Sequence, residues 1–133
     1  MTMQNSKVLK VILFICGALI LIPGLIALFN PVGFTARNGV DIMGNISMLN
    51  DYRGMGGMLL GSGIIILLGV LHHRMAFTST VVAIVMFLTL ALGRFVSIIL
   101  DGMPADGLFK ATVVEAILGF VAIFAMIKFR EKE

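Results

Sequence analysis

Four long apolar runs, separated by short polar segments, set the strongest limit on how this chain can fold. They cover residues 11–29, 51–71, 76–100 and 107–127 of the 133-residue sequence. A helix of about 20 apolar residues spans the roughly 30 Å hydrocarbon core of a bilayer. Each run therefore predicts one transmembrane helix. Together they predict an all-α fold, an antiparallel bundle of four transmembrane helices.

The composition excludes a soluble fold. Hydrophobic residues make up 59% of the chain and charged residues only 13%, about half of the roughly 25% that is typical of soluble domains. Because the four helices use most of the chain, we predict a single integral membrane domain over residues 1–133. The net charge of +3 is small and the basic residues are scattered, which argues against nucleic-acid binding.

The first apolar run predicts a helix that stays in the mature protein. A signal peptide has an apolar region of about 7–15 residues and a small-residue cleavage site, whereas residues 11–29 form a longer run with no such site after it. The run contains Cys16, the only cysteine, so an intramolecular disulfide is excluded. We expect Cys16 to be a small buried apolar residue.

The distribution of basic residues predicts the orientation of the bundle. Four spans place both termini and the turn at residues 72–74 on one side of the membrane. That side holds Lys7, Lys10, Arg74, Lys128, Arg130 and Lys132. The positive-inside rule then predicts that both termini are cytoplasmic, in the inner membrane if the protein is bacterial. The loop at 30–50 and the turn at 101–110 would face outward.

The start of the second helix is rich in glycine. Gly57 and Gly61 form a G-x-x-x-G pattern, which lets helix backbones approach closely in lipid, and Gly54 lies one turn earlier. We therefore expect Gly54, Gly57 and Gly61 to face a neighbouring helix. A phosphate-binding glycine loop is excluded, because no strand precedes these glycines and no Lys-Ser/Thr pair follows them.

Charged side chains lie toward the outer ends of the last three helices. Arg53 is on the second helix and Glu115 is on the fourth. On the third helix, Arg94, Ser97 and Asp101 share one face at i, i+3 and i+7. An ionisable residue inside a membrane segment is a candidate functional site, because placing it there is costly. These five residues are our candidate binding residues.

Helix length predicts the depth of Glu115. From Glu115 to Lys128 is about 20 Å of helix. If Lys128 marks the inner edge of the hydrocarbon core, Glu115 lies about 10 Å below the outer edge and needs a charged partner. Arg94 and Arg53 are the available cations. We predict that Arg94 is the partner, because it lies at a similar depth on a helix joined to the fourth by a short turn.

Several functions fit this polar cluster. It is either a structural network of ion pairs or a pocket in the outer leaflet that binds a lipid, a quinone or a small anion through the planar arginine side chains. A proton-coupled small transporter with Glu115 as its titrating group is the alternative. An enzyme is least favoured, because no nucleophile–base pair and no metal-ligand set is present. We expect no cofactor. The expected partners are membrane lipids, with a membrane protein or a second copy of the chain left open.

These polar residues also resemble a known family of bacterial membrane proteins, catalogued as domain of unknown function 4345. The resemblance lies in the segment NDYRGMGG at 50–57, in Arg94, Ser97, Asp101, Gly102 and Pro104, and in Glu115. It extends from the first predicted helix to the fourth. The resemblance implies a four-helix protein of the bacterial inner membrane and names no activity.

Overall fold

Within residues 2–131, four of the five α-helices are long and apolar enough to cross a membrane. The computed structural model describes residues 2–131. Its helices are α1 (Lys7–Phe29), α2 (Pro31–Ala36), α3 (Ile46–Leu71), α4 (Ala76–Asp101) and α5 (Asp106–Phe129), with a 3-10 turn at His73–Met75 before α4. The prediction of an all-α bundle with four membrane-spanning helices is confirmed.

The predicted loop at 30–50 is shorter in the structure, because two capped helices begin within it. Asn30 caps α2: its side chain accepts a hydrogen bond from the Gly33 N–H at 3.0 Å, and Pro31 occupies the first helical position, where its missing N–H costs nothing. Asn45 caps α3 by accepting from the Met48 N–H at 3.1 Å. The third helix therefore begins five residues before the predicted start, and only residues 37–45 remain as loop.

The closest helix packing is between α1 and α3. A Cβ atom built on Gly56 would lie 2.5 Å from the backbone nitrogen of Leu28, and one built on Gly24 would lie 2.7 Å from the backbone nitrogen of Leu60. A Cβ on Gly63 would lie 2.8 Å from the nitrogen of Leu21. No side chain fits at such distances. These glycines therefore allow the two backbones to touch, as glycines at helix contacts in membranes do.

The prediction that Gly54, Gly57 and Gly61 face a neighbouring helix is wrong for residues 2–131. A Cβ atom at any of the three would meet nothing within 4 Å. Gly56 and Gly63 are seven residues apart, close to two turns, so they share the face that contacts α1. Gly57 and Gly61 are rotated away from that face.

Two helix pairs, α1 with α3 and α4 with α5, make up the bundle. The hydrogen bonds that join the pairs lie at the end that holds the termini, which we call the terminal end. There the Ser79 hydroxyl donates to the Ile65 carbonyl at 2.6 Å, and the Gln4 N–H donates to the Phe129 carbonyl at 2.7 Å. At the opposite end, which we call the loop end, a cavity lies between the two pairs.

The core lies where all four long helices meet. Leu13, Cys16, Ile66 and Phe87 are each at most 2% exposed. The expected burial of Cys16 is confirmed. On the loop-end side of this core, space remains between the two helix pairs.

Candidate functional site

A cavity of about 960 Å³ lies between the two helix pairs at the loop end. We call it the loop-end cavity. All four long helices contribute to its walls, and α2 with the residues after it forms one side. Its walls are mostly apolar and include Leu19, Ile20, Leu59, Phe87, Leu90 and Leu118. Its volume is at the upper end of the roughly 300–1,000 Å³ that small-molecule sites occupy.

Among the described residues, four charged side chains line the loop-end cavity: Arg37, Arg94, Lys110 and Glu115. They come from the loop after α2, from α4 and from α5. Three cations against one carboxylate give the lining a formal charge of +2 (3 − 1). Arg37 and Lys110 are exposed, whereas Arg94 and Glu115 are partly buried. The cavity therefore combines apolar walls with an excess of positive charge.

Arg94 and Glu115 meet at the wall of this cavity. Arg94 Nε lies 2.9 Å from Glu115 Oε2, within salt-bridge distance, and both atoms are buried. The Arg94 side chain as a whole keeps 33% of its surface exposed, compared with 13% for Glu115. The exposed part of Arg94 therefore lies on atoms other than Nε.

The terminal nitrogens of Arg94 remain available. No side-chain or backbone acceptor in residues 2–131 forms a hydrogen bond with Nη1 or Nη2 of Arg94. An arginine presents donors along two edges of a planar group. Since Glu115 contacts the Nε side, the edge formed by the two Nη atoms is free to bind a ligand oxygen. A carboxylate or a phosphate matches that edge, because each presents two oxygens in one plane.

Arg53 lies outside the cavity lining and has a different contact. Its Nη1 donates to the carbonyl oxygen of Leu28, in the last turn of α1. The last four carbonyls of a helix have no partner within the helix. Arg53 therefore caps the end of α1 from the first half of α3.

Ser97 and Asp101 also lie outside the cavity lining. The Ser97 hydroxyl donates to Asp101 Oδ2 at 2.9 Å, and both residues are exposed on α4. Of the five candidate residues from the sequence, the structure thus brings Arg94 and Glu115 together at the cavity. It places Arg53, Ser97 and Asp101 elsewhere.

Sequence reasoning did not select Arg37, Asn38, Tyr52 or Lys110, all of which line the cavity. Arg37 and Asn38 lie in the loop after α2, so their positions depend on how that loop folds back onto the helices. Tyr52 and Lys110 lie on α3 and α5. The Phe34 ring of α2 packs on the Tyr52 ring of α3, with 6.2 Å between centroids. The frequent apolar residues of segment 30–50 were the available signal, since they indicate a segment lying on the bundle.

Within residues 2–131, no group of three or more His, Cys, Asp or Glu side chains is arranged to hold a metal ion. The polar atoms at the cavity are guanidinium, ammonium, amide and hydroxyl donors together with one carboxylate. Such a set is suited to binding an anion rather than a metal ion.

Comparison with known protein families finds a match. A family model described as domain of unknown function (DUF4345) matches residues 8–126, nearly the whole chain. No curated protein and no solved structure matches. The matched range contains all four membrane-spanning helices except their ends at residue 7 and residues 127–129, and it contains every residue that lines the cavity.

Proposed function

The chain belongs to the DUF4345 family, whose description names no activity, and we propose from the geometry of the cavity that it is a membrane-embedded binding protein for an amphiphilic small molecule. The polar group of this molecule binds at Arg94, and its apolar part lies between the two helix pairs. The observation that supports this most is the combination of a large apolar cavity with one partly exposed arginine in its wall.

A purely structural ion pair accounts less well for this geometry. Protein interiors are close-packed, with few voids larger than a water molecule. A charged pair that only joined α4 to α5 would need no space of about 960 Å³ beside it. An apolar tail placed against the leucine-rich walls would gain roughly 25 cal/mol for each Å² removed from water. Ligand binding therefore gives the space a physical role.

Transport by a titrating Glu115 is favoured less than binding. A proton path needs polar groups along its length, and the cavity is confined to the loop end. Toward the terminal end, the buried hydroxyls of Ser79 and Thr80 each donate to a backbone carbonyl of a helix, Ile65 and Ala76 respectively. Both hydroxyls are therefore already committed to helix packing, which favours binding in our proposal.

The proposal includes an orientation and a source for the ligand. The basic residues at the terminal end indicate that this end is cytoplasmic. The loop-end cavity then opens toward the outer leaflet of the cytoplasmic membrane. Its ligand would be a membrane lipid or another amphiphile that partitions into that leaflet.

A cavity-filling substitution tests the proposal. Gly93 lines the cavity, and a Cβ atom there would meet nothing within 4 Å, so Gly93→Phe can place a ring in the cavity without a backbone clash. Gly61→Phe is the matched control, because Gly61 is equally open and lies outside the cavity lining. Each protein is purified in a mild neutral detergent, and retained small molecules are measured by native mass spectrometry and solvent extraction.

We expect the parent protein and Gly61→Phe to retain the same amphiphile, and Gly93→Phe to lose it while remaining folded. Once the amphiphile has been removed from all samples, the parent protein and Gly93→Phe should have similar melting temperatures. Retention that is equal in all three proteins would place the ligand outside the cavity. A parent protein that retains nothing, and that is not stabilised by any added amphiphile, would refute the proposal.

A further inference from the structure

The charge of the loop-end cavity indicates the chemical class of its ligand more closely than its volume and apolar walls do. We infer that the head group it binds is a phosphate, held by the free Nη edge of Arg94 together with Arg37 and Lys110. This inference rests on the proposed binding function and names the chemical class of its ligand.

The first support is the division of Arg94 between two roles. Glu115 contacts Nε at 2.9 Å on the buried side, and no described residue accepts from the two Nη atoms. A free Nη edge suits an anion that offers at least two oxygens. A quinone carbonyl offers one oxygen and no charge, so it uses this edge less well than an oxyanion does.

The second support is the charge that remains after Arg94 and Glu115 neutralise each other. Arg37 and Lys110 are the other charged residues of the lining, and both are positive. No carboxylate in the described part of the chain lies within 4.0 Å of either one. The lining therefore keeps a formal charge of +2, from three cations and one carboxylate (3 − 1).

A phosphate monoester matches this charge better than a carboxylate does. It carries about −1.5 to −2 near neutral pH and has three strong acceptor oxygens. It can therefore bind the Nη edge with two oxygens and accept from a second cation with the third. A carboxylate carries a single negative charge and two oxygens, so it would leave one of the cations without a partner.

The apolar walls distinguish a phosphorylated amphiphile from inorganic phosphate. Inorganic phosphate would use only the charged part of the lining, whereas the apolar residues from α1, α3, α4 and α5 would contact nothing. A single alkyl chain attached to the phosphate would contact these residues. The expected ligand is a lipid or lipid precursor with a terminal phosphate monoester.

The test compares four probes on the full chain in nanodiscs of zwitterionic phosphatidylcholine. They are dodecyl phosphate, dodecanoate, dodecyltrimethylammonium and inorganic phosphate, and affinity is measured from the concentration dependence of the melting temperature. The variants are Arg37→Gln and Lys110→Gln, which change exposed side chains and are expected to fold. Arg74→Gln is the matched control, since Arg74 is exposed in the turn at the terminal end.

We expect dodecyl phosphate to bind about tenfold more tightly than dodecanoate, as one more charge in a partly exposed cationic site implies. Arg37→Gln and Lys110→Gln should each lower the affinity for dodecyl phosphate about threefold and reduce its preference over dodecanoate. Arg74→Gln should change neither the affinity nor the preference. Dodecyltrimethylammonium should not bind.

The outcomes separate this inference from the function on which it rests. Equal affinity for dodecyl phosphate and dodecanoate would overturn the phosphate assignment and leave the binding function standing. Tight binding of dodecyltrimethylammonium would also overturn it. If inorganic phosphate binds as tightly as dodecyl phosphate, the result would support a phosphate head group and refute the proposal that the ligand is amphiphilic. Binding of none of the four probes would refute the phosphate assignment, and a retained neutral molecule would then still support the binding function.

Discussion

Arg94 Nε and Glu115 Oε2 lie 2.9 Å apart across α4 and α5, and each is the other's only close polar partner in residues 2–131. Both atoms are buried, although a third of the Arg94 side chain remains exposed. Removing either side chain would leave the other charge without a partner in an apolar wall. The contact thus makes a specific prediction about coupled substitutions.

We predict that Arg94→Leu and Glu115→Leu each lower the free energy of unfolding by about 1–3 kcal/mol. This is less than for a fully buried pair, because water reaches part of Arg94. The double variant should lose less than the sum of the two, since it leaves no unpaired charge. Unfolding free energies in detergent measure this coupling.

The control for this coupling is a second pair on α4. Asp101 is bound by Ser97 and does not line the cavity. Arg94→Leu combined with Asp101→Leu should therefore give additive losses within about 0.5 kcal/mol. Additive losses for Arg94 and Glu115 as well would mean that the two are not coupled.

The glycine face of α3 gives a second prediction. Gly56→Leu should abolish folding or lower the melting temperature strongly, because a Cβ at Gly56 would lie 2.5 Å from the Leu28 nitrogen and 2.9 Å from the Ala27 carbonyl carbon. Overpacking commonly costs about 1–3 kcal/mol and more where backbone must move. Gly57→Leu should leave the melting temperature nearly unchanged, because its Cβ meets nothing within 4 Å. The reverse order of effects would contradict the α1–α3 packing described above.

These glycines show what the sequence could and could not predict about the fold. The four spans follow from the length and apolarity of the runs, since only a helix satisfies its backbone in lipid. The contact face of α3 does not follow, because Gly54, Gly56, Gly57, Gly61 and Gly63 lie around most of the helix. Which of these glycines contact α1 depends on where Gly24 of α1 lies, because Gly24 packs against Gly56. The spacing of glycines within α3 alone does not show this contact.

The sequence likewise predicts only part of the candidate site. Arg94 and Glu115 lie at similar depth on helices joined by a short turn, so chain geometry alone brings them together. Arg53 reaches the Leu28 carbonyl instead, because α1 ends beside it. Arg37 joins the site only through the path of the loop after α2, which helical periodicity does not describe.

The Arg53 cap gives a third prediction. Arg53→Leu should lower the free energy of unfolding by about 1 kcal/mol, because the Leu28 carbonyl loses a charged donor at an exposed position. Binding of any cavity ligand should be unchanged, since Arg53 does not line the cavity. Melting temperature and ligand affinity are measured on the same samples. A loss of affinity at unchanged stability would place Arg53 in the site after all.

The orientation of the bundle gives a fourth prediction. The basic residues at the terminal end predict that the chain termini are cytoplasmic. A reporter that is active only in the cytoplasm should be active when fused after residue 133 and inactive when inserted within residues 33–45. The matched pair of fusions with a reporter active only outside the cytoplasm should give the opposite result. Outside activity of the C-terminal fusion would contradict the orientation.

The contact between the chain ends gives the last prediction. Met3 and Arg130 form an isolated antiparallel bridge, flanked by hydrogen bonds from Gln4 N–H to the Phe129 carbonyl and from Glu131 N–H to the Thr2 carbonyl. This arrangement makes Met3 and Arg130 a non-hydrogen-bonded pair, whose Cα atoms lie about 4.5 Å apart. A disulfide can join two residues at this spacing.

Met3→Cys with Arg130→Cys should therefore form an intrachain disulfide under mild oxidation, detected as loss of two free thiols in the intact mass. Oxidation should also raise the melting temperature, because the disulfide closes a long loop. Met3→Cys with His73→Cys is the control, and it should stay reduced or form only intermolecular links. A Met3→Cys/Arg130→Cys protein that behaves like this control would show that the two chain ends do not meet.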